Sequence, residues 1–289
     1  MPRPQRVPLP PAPSPSPALP ENSMLDVEFA QFSDPGKVRG HNEDYCGFFA
    51  PSSPARVRSH GWLFVLADGV GGHDRGEVAS RTAVESLLEA FPRAAAGEPA
   101  APLLARLVAS ANTQVVEAGL GAGSGRSRMA TTLVACVLRH DRAAVAHVGD
   151  SRCYLIRGGK AVQLTRDHTV TNEQIKLGLI SPGEASRAST RHLLSRSLGN
   201  ELFVNVDVAE HQVLAGDLLL LCSDGMHNSV SGADMADVAG AASDLDAAAR
   251  SLVELAKQRD GGDNITVQVV RVRSVERVGM YRGRPYKLR

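Results

Sequence analysis

The sequence has few aromatic residues and almost no net charge, and each of these features excludes a class of function. Phe, Trp and Tyr make up 4% of the 289 residues, with a single Trp. A base-stacking platform or an aromatic-lined sugar cleft needs more rings than this. The formal net charge is +1, from 32 basic and 31 acidic side chains. Because a general nucleic-acid binder carries a basic excess, we expect no nucleic-acid partner.

Cysteines and long apolar runs are also scarce. The four cysteines are widely spaced and form no Cys-x-x-Cys pair, so the sequence predicts neither a zinc knuckle nor a disulfide framework. No run of about 18 apolar residues occurs, so no transmembrane helix is predicted. The N-terminus has no continuous apolar stretch of the kind found in signal peptides. We therefore expect a cytoplasmic protein without a membrane partner.

The two ends of the chain differ from the rest in composition. Nine of the 17 prolines lie in the first 20 residues, and residues 1–24 are predicted to be a disordered Pro-rich tail. A passive tail is favoured over a Pro-rich docking peptide. Residues 274–289 hold five basic residues and one acid and are predicted to be a basic tail, a solvated extension rather than a membrane or acidic-partner contact. The two tails carry +1 and +4, which leaves −4 on residues 25–273.

Residues 25–273 are long enough for one large domain, and their pattern is rich in strands. Helices are predicted from apolar periodicity at 77–91, 103–120, 232–239 and 245–259. Strands are predicted at 25–32, 45–50, 62–67, 131–138, 143–148, 153–157, 161–164, 202–208, 218–222 and 265–272. Residues 167–195 are polar and include a capping box, and they predict a small helical insertion or flap. Grouped strands and helices indicate an α+β fold of antiparallel sheets with helices outside.

Three apolar runs each end in an aspartate, and a fourth aspartate precedes an apolar strand. The runs WLFVLAD, AVAHVGD and LLLLCSD end at Asp68, Asp150 and Asp224, and Asp263 stands just before the strand at 265–272. A carboxylate at the edge of a hydrophobic strand is costly to desolvate unless a cation or hydrogen bonds compensate. A single one of these acids is expected to be a turn or cap residue, but the set indicates a cation. Oxygen ligands without Cys or His clusters favour Mg²⁺ or Mn²⁺ over zinc.

Glycines follow two of these aspartates directly. Asp68 and Asp224 precede Gly69 and Gly225, and a residue without a Cβ lets the backbone approach a ligand, so the Gly69 carbonyl is a candidate metal ligand. The loop DGVGGHDRG lies between a strand and a helix, as phosphate-binding loops do. It matches neither nucleotide fingerprint, because Asp74 replaces the third Gly of G-x-G-x-x-G and no G-K-[ST] follows.

Eight segments in order resemble one family, the metal-dependent Ser/Thr protein phosphatases of the type 2C class in their bacterial form. The segments are spread along residues 25–273 and are SDPGKVRGHNED (33–44), LADGVGGHDRGEVAS (66–80), MATTLVA (129–135), HVGDSRCYLIRGG (147–159), LTRDHT (164–169), RSLG (196–199), LLLLCSDGM (218–226) and GGDNITVQVV (261–270). The resemblance implies a four-layer α-β-β-α sandwich of two antiparallel sheets flanked by helices. It also implies that residues 167–195 form a flap beside the active site.

The resemblance further implies a role for each acid. Asp68 is similar to the carboxylate that bridges two metal ions, with the Gly69 carbonyl on one of them. Asp224 and Asp263 resemble ligands of the other ion, and Asp44, with Glu43 beside it, supports the site directly or through water. Asp150 resembles the acid that helps to bind a third, looser metal in bacterial members. The expected cofactors are therefore two Mn²⁺ or Mg²⁺ ions, with a third as a further option.

The chemistry of phosphate-ester hydrolysis explains why these residue types are needed. A dianionic phosphomonoester repels hydroxide, so a catalyst must neutralise phosphate oxygens and supply a nucleophile at neutral pH. Two divalent ions about 4 Å apart do both, which makes Asp68 a catalytic candidate. Arg39, which resembles the family's phosphate-binding arginine, adds a planar fork that matches two phosphate oxygens. The expected substrates are phosphorylated proteins, with a cognate Ser/Thr kinase as partner and a monomer as the working form.

Three departures from the family pattern affect what can be carried over. Asn228 stands where an acid is often found four residues after the aspartate of the Asp-Gly pair, which thins the third-metal site. Met129 and Ala130 replace the usual glycine before the two threonines, which predicts a packing change. Val70 occupies the place of the leaving-group histidine of eukaryotic relatives. His73 is nearby, and a capping or structural role is favoured for it over proton donation.

Two other functions compete with this reading. Cys136 and Arg142 satisfy C-x5-R, the spacing of a cysteine-based phosphatase, but no glycine lies between them and Cys136 lies in an apolar strand where a thiol stays protonated. A non-catalytic phosphoprotein-binding module on the same fold would have lost metal acids, whereas Asp68, Asp224 and Asp263 are all present. Both alternatives are therefore disfavoured.

Overall fold

The computed structural model describes residues 24–70, 75–121, 129–185, 188, 190, 192–281 and 284–287. The prediction of a disordered tail at 1–24 falls, apart from Met24, outside these residues. The prediction for His73 also falls outside them.

The first of two five-stranded sheets contains both ends of the predicted domain. In spatial order it consists of β1 (Asp26–Asp34), β10 (Ile265–Ser274), β9 (Leu218–Cys222), β6 (Arg152–Arg157) and β7 (Lys160–Gln163). All four neighbouring pairs are antiparallel. Its longest ladder joins β1 to β10, so the start and the end of the domain lie side by side.

The second sheet is also antiparallel. Its order is β2 (Asp44–Phe49), β3 (Trp62–Asp68), β4 (Leu133–Arg139), β5 (Arg142–Val148) and β8 (Asp207–Gln212). β3 is buried on both faces: Phe64 and Leu66 face the other sheet, and Leu63, Val65 and Ala67 face the helices. Burial on both faces explains why this strand is a continuous apolar run rather than an alternating one.

Helices cover the outer face of each sheet. The full set of α-helices in the described residues is α1 (Pro54–Ser59), α2 (Gly76–Ala90), α3 (Ala100–Gly121), α4 (Val170–Lys176), α5 (Pro182–Ala185), α6 (Asp224–His227), α7 (Gly232–Ala241) and α8 (Leu245–Arg259). Of these, α2, α3, α7 and α8 provide the cover. The long helices α2 and α3 share one core with the second sheet, and α7 and α8 share another with the first. A third core lies between the sheets and includes Phe64, Leu219 and Val270. The predicted four-layer α-β-β-α sandwich is confirmed.

The predicted insertion at 167–195 contains α4 and α5. Ser181 and Glu184 form the expected capping box, in which the Ser181 amide donates to the Glu184 carboxylate at 2.8 Å and the Glu184 amide donates to Ser181 Oγ at 3.3 Å. Within the described ranges, no helix has both the length and the apolar character that crossing a bilayer requires.

One prediction of a strand is wrong over most of its length. The strand predicted at 202–208 begins only at Asp207, and Leu202 and Phe203 are exposed. Asn112 of α3 donates to the carbonyls of Glu201 and Leu202 at 2.9 and 3.1 Å. These bonds hold the residues before Asp207 in a loop. In the basic segment 274–289, β11 (Val278–Tyr281) and β12 (Arg284–Lys287) pair as a two-stranded antiparallel sheet, and Tyr286 on β12 is exposed.

Candidate active site

The five predicted metal-binding aspartates come together where the two sheets meet. Asp44 at the start of β2 is the antiparallel partner of Asp68 at the end of β3. Asp150 follows β5, Asp224 follows β9 and Asp263 precedes β10. Asp68 experiences the negative charge of each of the other four. The sheets therefore bring one carboxylate from each of five separate chain segments to one place.

Asp44 is one of the two most enclosed of these acids, and like Asp150 it has 7% of its surface exposed. Ser223 Oγ donates to its Oδ2 at 2.8 Å. Its Oδ1 is buried and has no hydrogen-bond partner among the described residues. Burial and the charges of Asp224 and Asp263 raise the pKa of Asp44 to about 7. A buried carboxylate oxygen without a donor is costly, and a cation removes that cost.

Asp68 is held by its backbone. Its amide donates to Thr132 Oγ1 at 3.0 Å, and its carbonyl accepts from the Thr132 amide at 2.8 Å. Burial raises the pKa of Asp68 well above its ordinary value. The negative charges of Asp44 and of the other three aspartates act in the same direction. The backbone of Asp68 is thus fixed at a point where its carboxylate lies among like charges.

Gly69 follows Asp68 at a point where the chain has no room for a side chain. A Cβ there would lie 2.4 Å from the Gly76 carbonyl oxygen and 2.8 Å from that of Glu43. The Gly69 amide donates to the same Glu43 oxygen at 3.1 Å. This contact fixes the peptide that carries the candidate carbonyl ligand.

Glu43, which was expected to support the site, contributes mainly through its backbone. Its carbonyl also accepts from Ser80 Oγ at 2.6 Å, and its amide donates to Asn264 Oδ1 at 2.8 Å. Its carboxylate lies 3.0 Å from His41 Nε2. The Glu43 side chain therefore pairs with His41 in this structure.

Asp224 and Asp263 come from the first sheet. Asp224 is the first residue of α6, and burial and the charge of Asp263 raise the pKa of Asp224. Asn228, which replaces the expected acid, lies with its Nδ2 3.4 Å from Asp224 Oδ2. An amide at this position donates to the neighbouring carboxylate instead of adding a further negative charge to the cluster.

Asp150 is buried beside an ion pair. Burial and the charges of Asp224 and Asp167 raise the pKa of Asp150 to about 7. Asp167 is bound by both guanidinium arms of Arg152, at 2.6 and 2.9 Å. His227 Nε2 lies 2.9 Å from the Asp150 carbonyl oxygen and fixes its backbone.

Arg39 reaches the same cluster from the loop between β1 and β2. Its Nη2 donates to Asp263 Oδ2 at 2.8 Å, and 43% of its side chain is exposed. This hydrogen bond, with the charges of Asp263, Glu43 and Asp224, raises the pKa of Arg39. A permanently charged, half-exposed guanidinium at the mouth of the acid cluster is placed to bind an anion that approaches from solvent.

The donor set fits a divalent cation. The pKa values of Asp44 and Asp150 are raised to about 7 and that of Asp68 well above its ordinary value, because these carboxylates are buried and lie close to one another. The described residues of the site offer oxygen donors, and the five aspartates outnumber the nearby arginines, Arg39 and Arg152. Such a hard, oxygen-rich set is characteristic of Mg²⁺ and Mn²⁺ sites.

Three positioning residues were missed by the sequence reasoning. Thr132 fixes Asp68, Ser223 binds Asp44, and Asn264 joins Asp263 to the Arg39 loop through hydrogen bonds to the carbonyls of Pro35 and His41 at 3.0 and 3.1 Å. All three lie in the quoted motifs, and Ser223 and Asn264 directly adjoin a predicted ligand. A polar residue next to a predicted aspartate ligand is the signal that would have found these two, whereas Thr132 meets Asp68 only through the pairing of β3 with the chain that enters β4.

The cysteine alternative is excluded by burial. Cys136 has no exposed surface and lies in the core between the sheets. Arg142 is 43% exposed and lies near Asp141. The two ends of the C-x5-R spacing therefore do not share a phosphate site.

Comparison with known proteins agrees with this geometry. Residues 39–258 match the family model described as protein phosphatase 2C. A serine/threonine phosphatase of Listeria welshimeri is 35% identical over 257 residues, which cover 87% of this chain and 96% of the relative. The residues matched by the family model include four of the five aspartates of the acid cluster, all but Asp263. The alignment with the Listeria relative is longer than the match to the family model.

Solved structures share the same arrangement of the chain. The serine/threonine phosphatase of S. agalactiae superposes with a TM-score of 0.75 at 32% identity, covering 86% of this chain and all of that one. The catalytic domain of the serine/threonine protein phosphatase PstP, solved in complex with two manganese ions, gives a TM-score of 0.71 at 33% identity, covering 86% of this chain and 99% of that one.

Proposed function

The chain belongs to the protein phosphatase 2C family and is a protein-serine/threonine phosphatase, and on this basis we propose a role for each residue of its acid cluster. Asp68, Asp224, Asp263, Asp44 and the Gly69 carbonyl hold two Mn²⁺ or Mg²⁺ ions, and Asp150 serves a third. The observation that carries this proposal is the convergence of five aspartates, with the buried Asp44 Oδ1 unpartnered among the described residues. Catalysis is favoured over the non-catalytic binding module, because the named relatives are phosphatases.

The bound ions supply charge neutralisation and a water of lowered pKa, which makes a nucleophile available at neutral pH. The chain's own residues orient the reaction. Asp68, fixed by Thr132, holds its carboxylate at the centre of the cluster. Arg39 binds two oxygens of the phosphoserine or phosphothreonine phosphate from the solvent side, in exchange for its bond to Asp263. No protein nucleophile is required, and the buried Cys136 provides none.

The test is manganese-dependent release of phosphate from a phosphothreonine peptide by the purified full chain. We expect release with Mn²⁺ and none after chelation. Asp237→Ala, which removes an exposed aspartate on α7, is the matched control and should hydrolyse the peptide normally. Release that survives strong chelation would refute the metal assignment.

The wider role proposed for the protein is to oppose a Ser/Thr kinase, as a monomer in the cytoplasm. All four cysteines are free, and three of them are buried, which is compatible with a reducing compartment. A comparison of phosphoproteins in cells that carry wild-type or Asp68→Ala protein tests the kinase relation. Light scattering of the purified chain tests the monomer.

A further inference from the structure

The turn that carries Asp150 is tightly packed against the residue that holds Asp68. Gly149 has a φ of +103°, and a Cβ there would lie 2.7 Å from two side-chain atoms of Thr132. Thr132 Oγ1 in turn accepts from the Asp68 amide. The position of Asp150 therefore depends on how the Gly149 peptide groups are held.

His168 forms hydrogen bonds with both the carbonyl and the amide of Gly149. The His168 amide donates to the Gly149 carbonyl at 2.9 Å, and the Gly149 amide donates to His168 Nδ1 at 3.2 Å. His168 is 2% exposed, so water does not compete for either bond. One buried side chain thus satisfies the amide directly before the metal-site acid.

The hydrogen bond at Nδ1 determines the state of the imidazole. An N–H donor needs a lone pair, so Nδ1 is unprotonated and the proton of the neutral ring lies on Nε2. Nε2 lies 3.4 Å from Asp207 Oδ2 but makes no hydrogen bond among the described residues, and Arg196 Nη1 donates to Asp207 Oδ1 at 2.9 Å. Burial and the nearby His147 and Arg196 lower the pKa of His168 to about 4, which keeps the ring neutral.

The same group of residues has the composition of a metal site but not the right proton arrangement. His147, His168 and Asp207 place one donor atom each within 4.8 Å of one another. A cation on His168 Nε2 would require the proton on Nδ1, where it would face the Gly149 N–H. The hydrogen-bonded arrangement therefore favours a positioning role over a second metal site.

His168 is itself fixed by the neck of the flap, the residues 168–170 and 193–195 where the segment 167–195 joins the rest of the domain. Its carbonyl accepts from the Ser195 amide at 2.9 Å, and the Val170 amide donates to the Leu193 carbonyl at 2.8 Å. The His147 ring stacks on the His168 ring with centroids 4.6 Å apart. The imidazole has little freedom to turn away from Gly149.

We propose that His168 is a positioning residue for the metal site, whose Nδ1 accepts the Gly149 amide and so sets the place of the Asp150 carboxylate. The inference rests on the proposed role of Asp150 as a metal ligand. Groups that orient metal ligands from outside the coordination shell contribute about 10- to 100-fold to metal affinity. Loss of the Nδ1 acceptor should therefore weaken the Mn²⁺ site that depends on Asp150.

The test compares two substitutions of His168 by Mn²⁺ titration calorimetry on the full chain. His168→Asn keeps an acceptor close to the Nδ1 position, and His168→Leu keeps the bulk but has none. We expect the leucine variant to bind its weakest Mn²⁺ about 10-fold less tightly, and the asparagine variant to stay within about 3-fold of wild type. His147→Leu, which removes the stacked imidazole but leaves the Gly149 acceptor, is the matched control.

Asp150→Asn, titrated in parallel, separates the two claims. If Asp150→Asn leaves all Mn²⁺ affinities unchanged, the proposed role of Asp150 is wrong and the inference falls with it. If Asp150→Asn weakens a site that His168→Leu leaves intact, the role of Asp150 stands and only the inference is overturned. Equal losses in the asparagine and leucine variants also overturn it.

A measurement on the wild-type chain guards against variants that do not fold. Nitrogen-15 NMR of the histidine rings reports which ring nitrogen is protonated, and scalar coupling reports the Gly149 hydrogen bond directly. We expect the His168 proton on Nε2 and coupling between the Gly149 amide and Nδ1. A proton on Nδ1 would overturn the proposal without any variant.

Discussion

The aspartates of the acid cluster are buried or partly buried and close together, although carboxylates are most stable when solvated and apart. A bound cation removes this conflict. Asp44 is buried with one oxygen unpartnered among the described residues, and Asp68 lies among four like charges. Neither arrangement is favourable to the folded chain by itself, because a desolvated carboxylate needs a compensating charge. These residues are therefore held in place for binding, at a cost in stability.

Loss of the carboxylate of Asp68 or of Asp224 should abolish turnover and leave the fold intact. For Asp68→Ala and Asp224→Asn we expect a fall in kcat/KM of at least about 100-fold, because metal ions contribute several kcal/mol of transition-state stabilisation and about 1.4 kcal/mol corresponds to tenfold. Steady-state kinetics on a phosphothreonine peptide measures this, with circular dichroism to check the fold. Near-normal rates in either variant would count against the site assignment.

Arg39 should not be replaceable by lysine. Arg39→Lys keeps the positive charge but loses the planar fork, so we expect kcat/KM to fall about 10- to 100-fold, the equivalent of one or two charged hydrogen bonds. Arg106→Lys, at an exposed arginine on α3 that pairs with Glu98, is the control and should have wild-type kinetics. An unchanged rate for Arg39→Lys would show that the fork does not bind the phosphate.

The buried His168 should make stability depend on pH. Its pKa of about 4 in the fold lies below the value of about 6.5 in an unfolded chain, so the unfolded chain takes up more protons in this window. Stability from this group is full above pH about 6.5 and is lost as the pH falls toward 4. His147 and Arg196 disfavour the charged ring, while Asp207 favours it.

Urea unfolding of wild type and His168→Asn at several pH values checks this. We expect the difference in unfolding free energy, wild type minus variant, to shrink between pH 7 and pH 5. A difference that does not change with pH would mean that His168 does not titrate in this range.

At the scale of elements, strand ends deliver the acids and short hydrogen bonds fix them. β3, β5 and β9 each lead into an acid, and β10 follows one. Antiparallel pairing sets Asp44 opposite Asp68, and Asn264 ties the loop that carries Arg39 to the start of β10. The site is thus built on the rigid sheets rather than on the flap.

The capping box of α7 should contribute to stability but not to catalysis. Ser231 Oγ accepts from the Asp234 amide, and Asp234 accepts from the Ser231 amide, at the start of a helix far along the chain from the predicted ligands. Ser231→Ala should lower the free energy of unfolding by about 1 kcal/mol with unchanged kcat/KM. Ser251→Ala, at an exposed position of α8, is the control. A drop in activity would place α7 in the catalytic machinery.

At the scale of the whole molecule, three hydrophobic cores hold the sheets and helices together. Two lie between a sheet and its helices, and one lies between the sheets. The acids lie at or next to the ends of strands that these cores hold together. The free energy of folding of the whole domain therefore has to offset the repulsion between the carboxylates. Any ligand that relieves it stabilises the entire fold.

Mn²⁺ should therefore raise the thermal stability of the metal-free protein. Binding to the folded chain alone stabilises it by about 2.7 kcal/mol when free metal is 100 times its dissociation constant. Differential scanning calorimetry at pH 7.5 measures the rise in Tm, and excess chelator should reverse it. Asp237→Ala should show the same rise and Asp68→Ala little or none. Equal rises in both variants would place the stabilising ions outside the acid cluster.

Much of the fold and of the site could be predicted from local patterns. Apolar runs buried on both faces mark β3 and β9, and an aspartate at the end of such a run is conspicuous because a carboxylate there needs compensation. The stretch 202–206 shows the limit of this reasoning. Its apolar residues predict a strand, but Asn112, some 90 residues earlier in the chain, holds it as a loop.

The sequence by itself determined the α+β class, the residue types of the site and the preference for a hard divalent cation, and its resemblance to the type 2C phosphatases implied the four-layer arrangement. Only the tertiary structure decided that Asp44 Oδ1 lacks a partner among the described residues, that Arg39 pairs with Asp263 and that His168 holds Gly149. Apolar runs and strand-end acids act through near neighbours, so they can be read from the chain. Hydrogen-bond partners depend on how the two sheets and the flap neck pack, and that packing brings together residues from distant parts of the sequence.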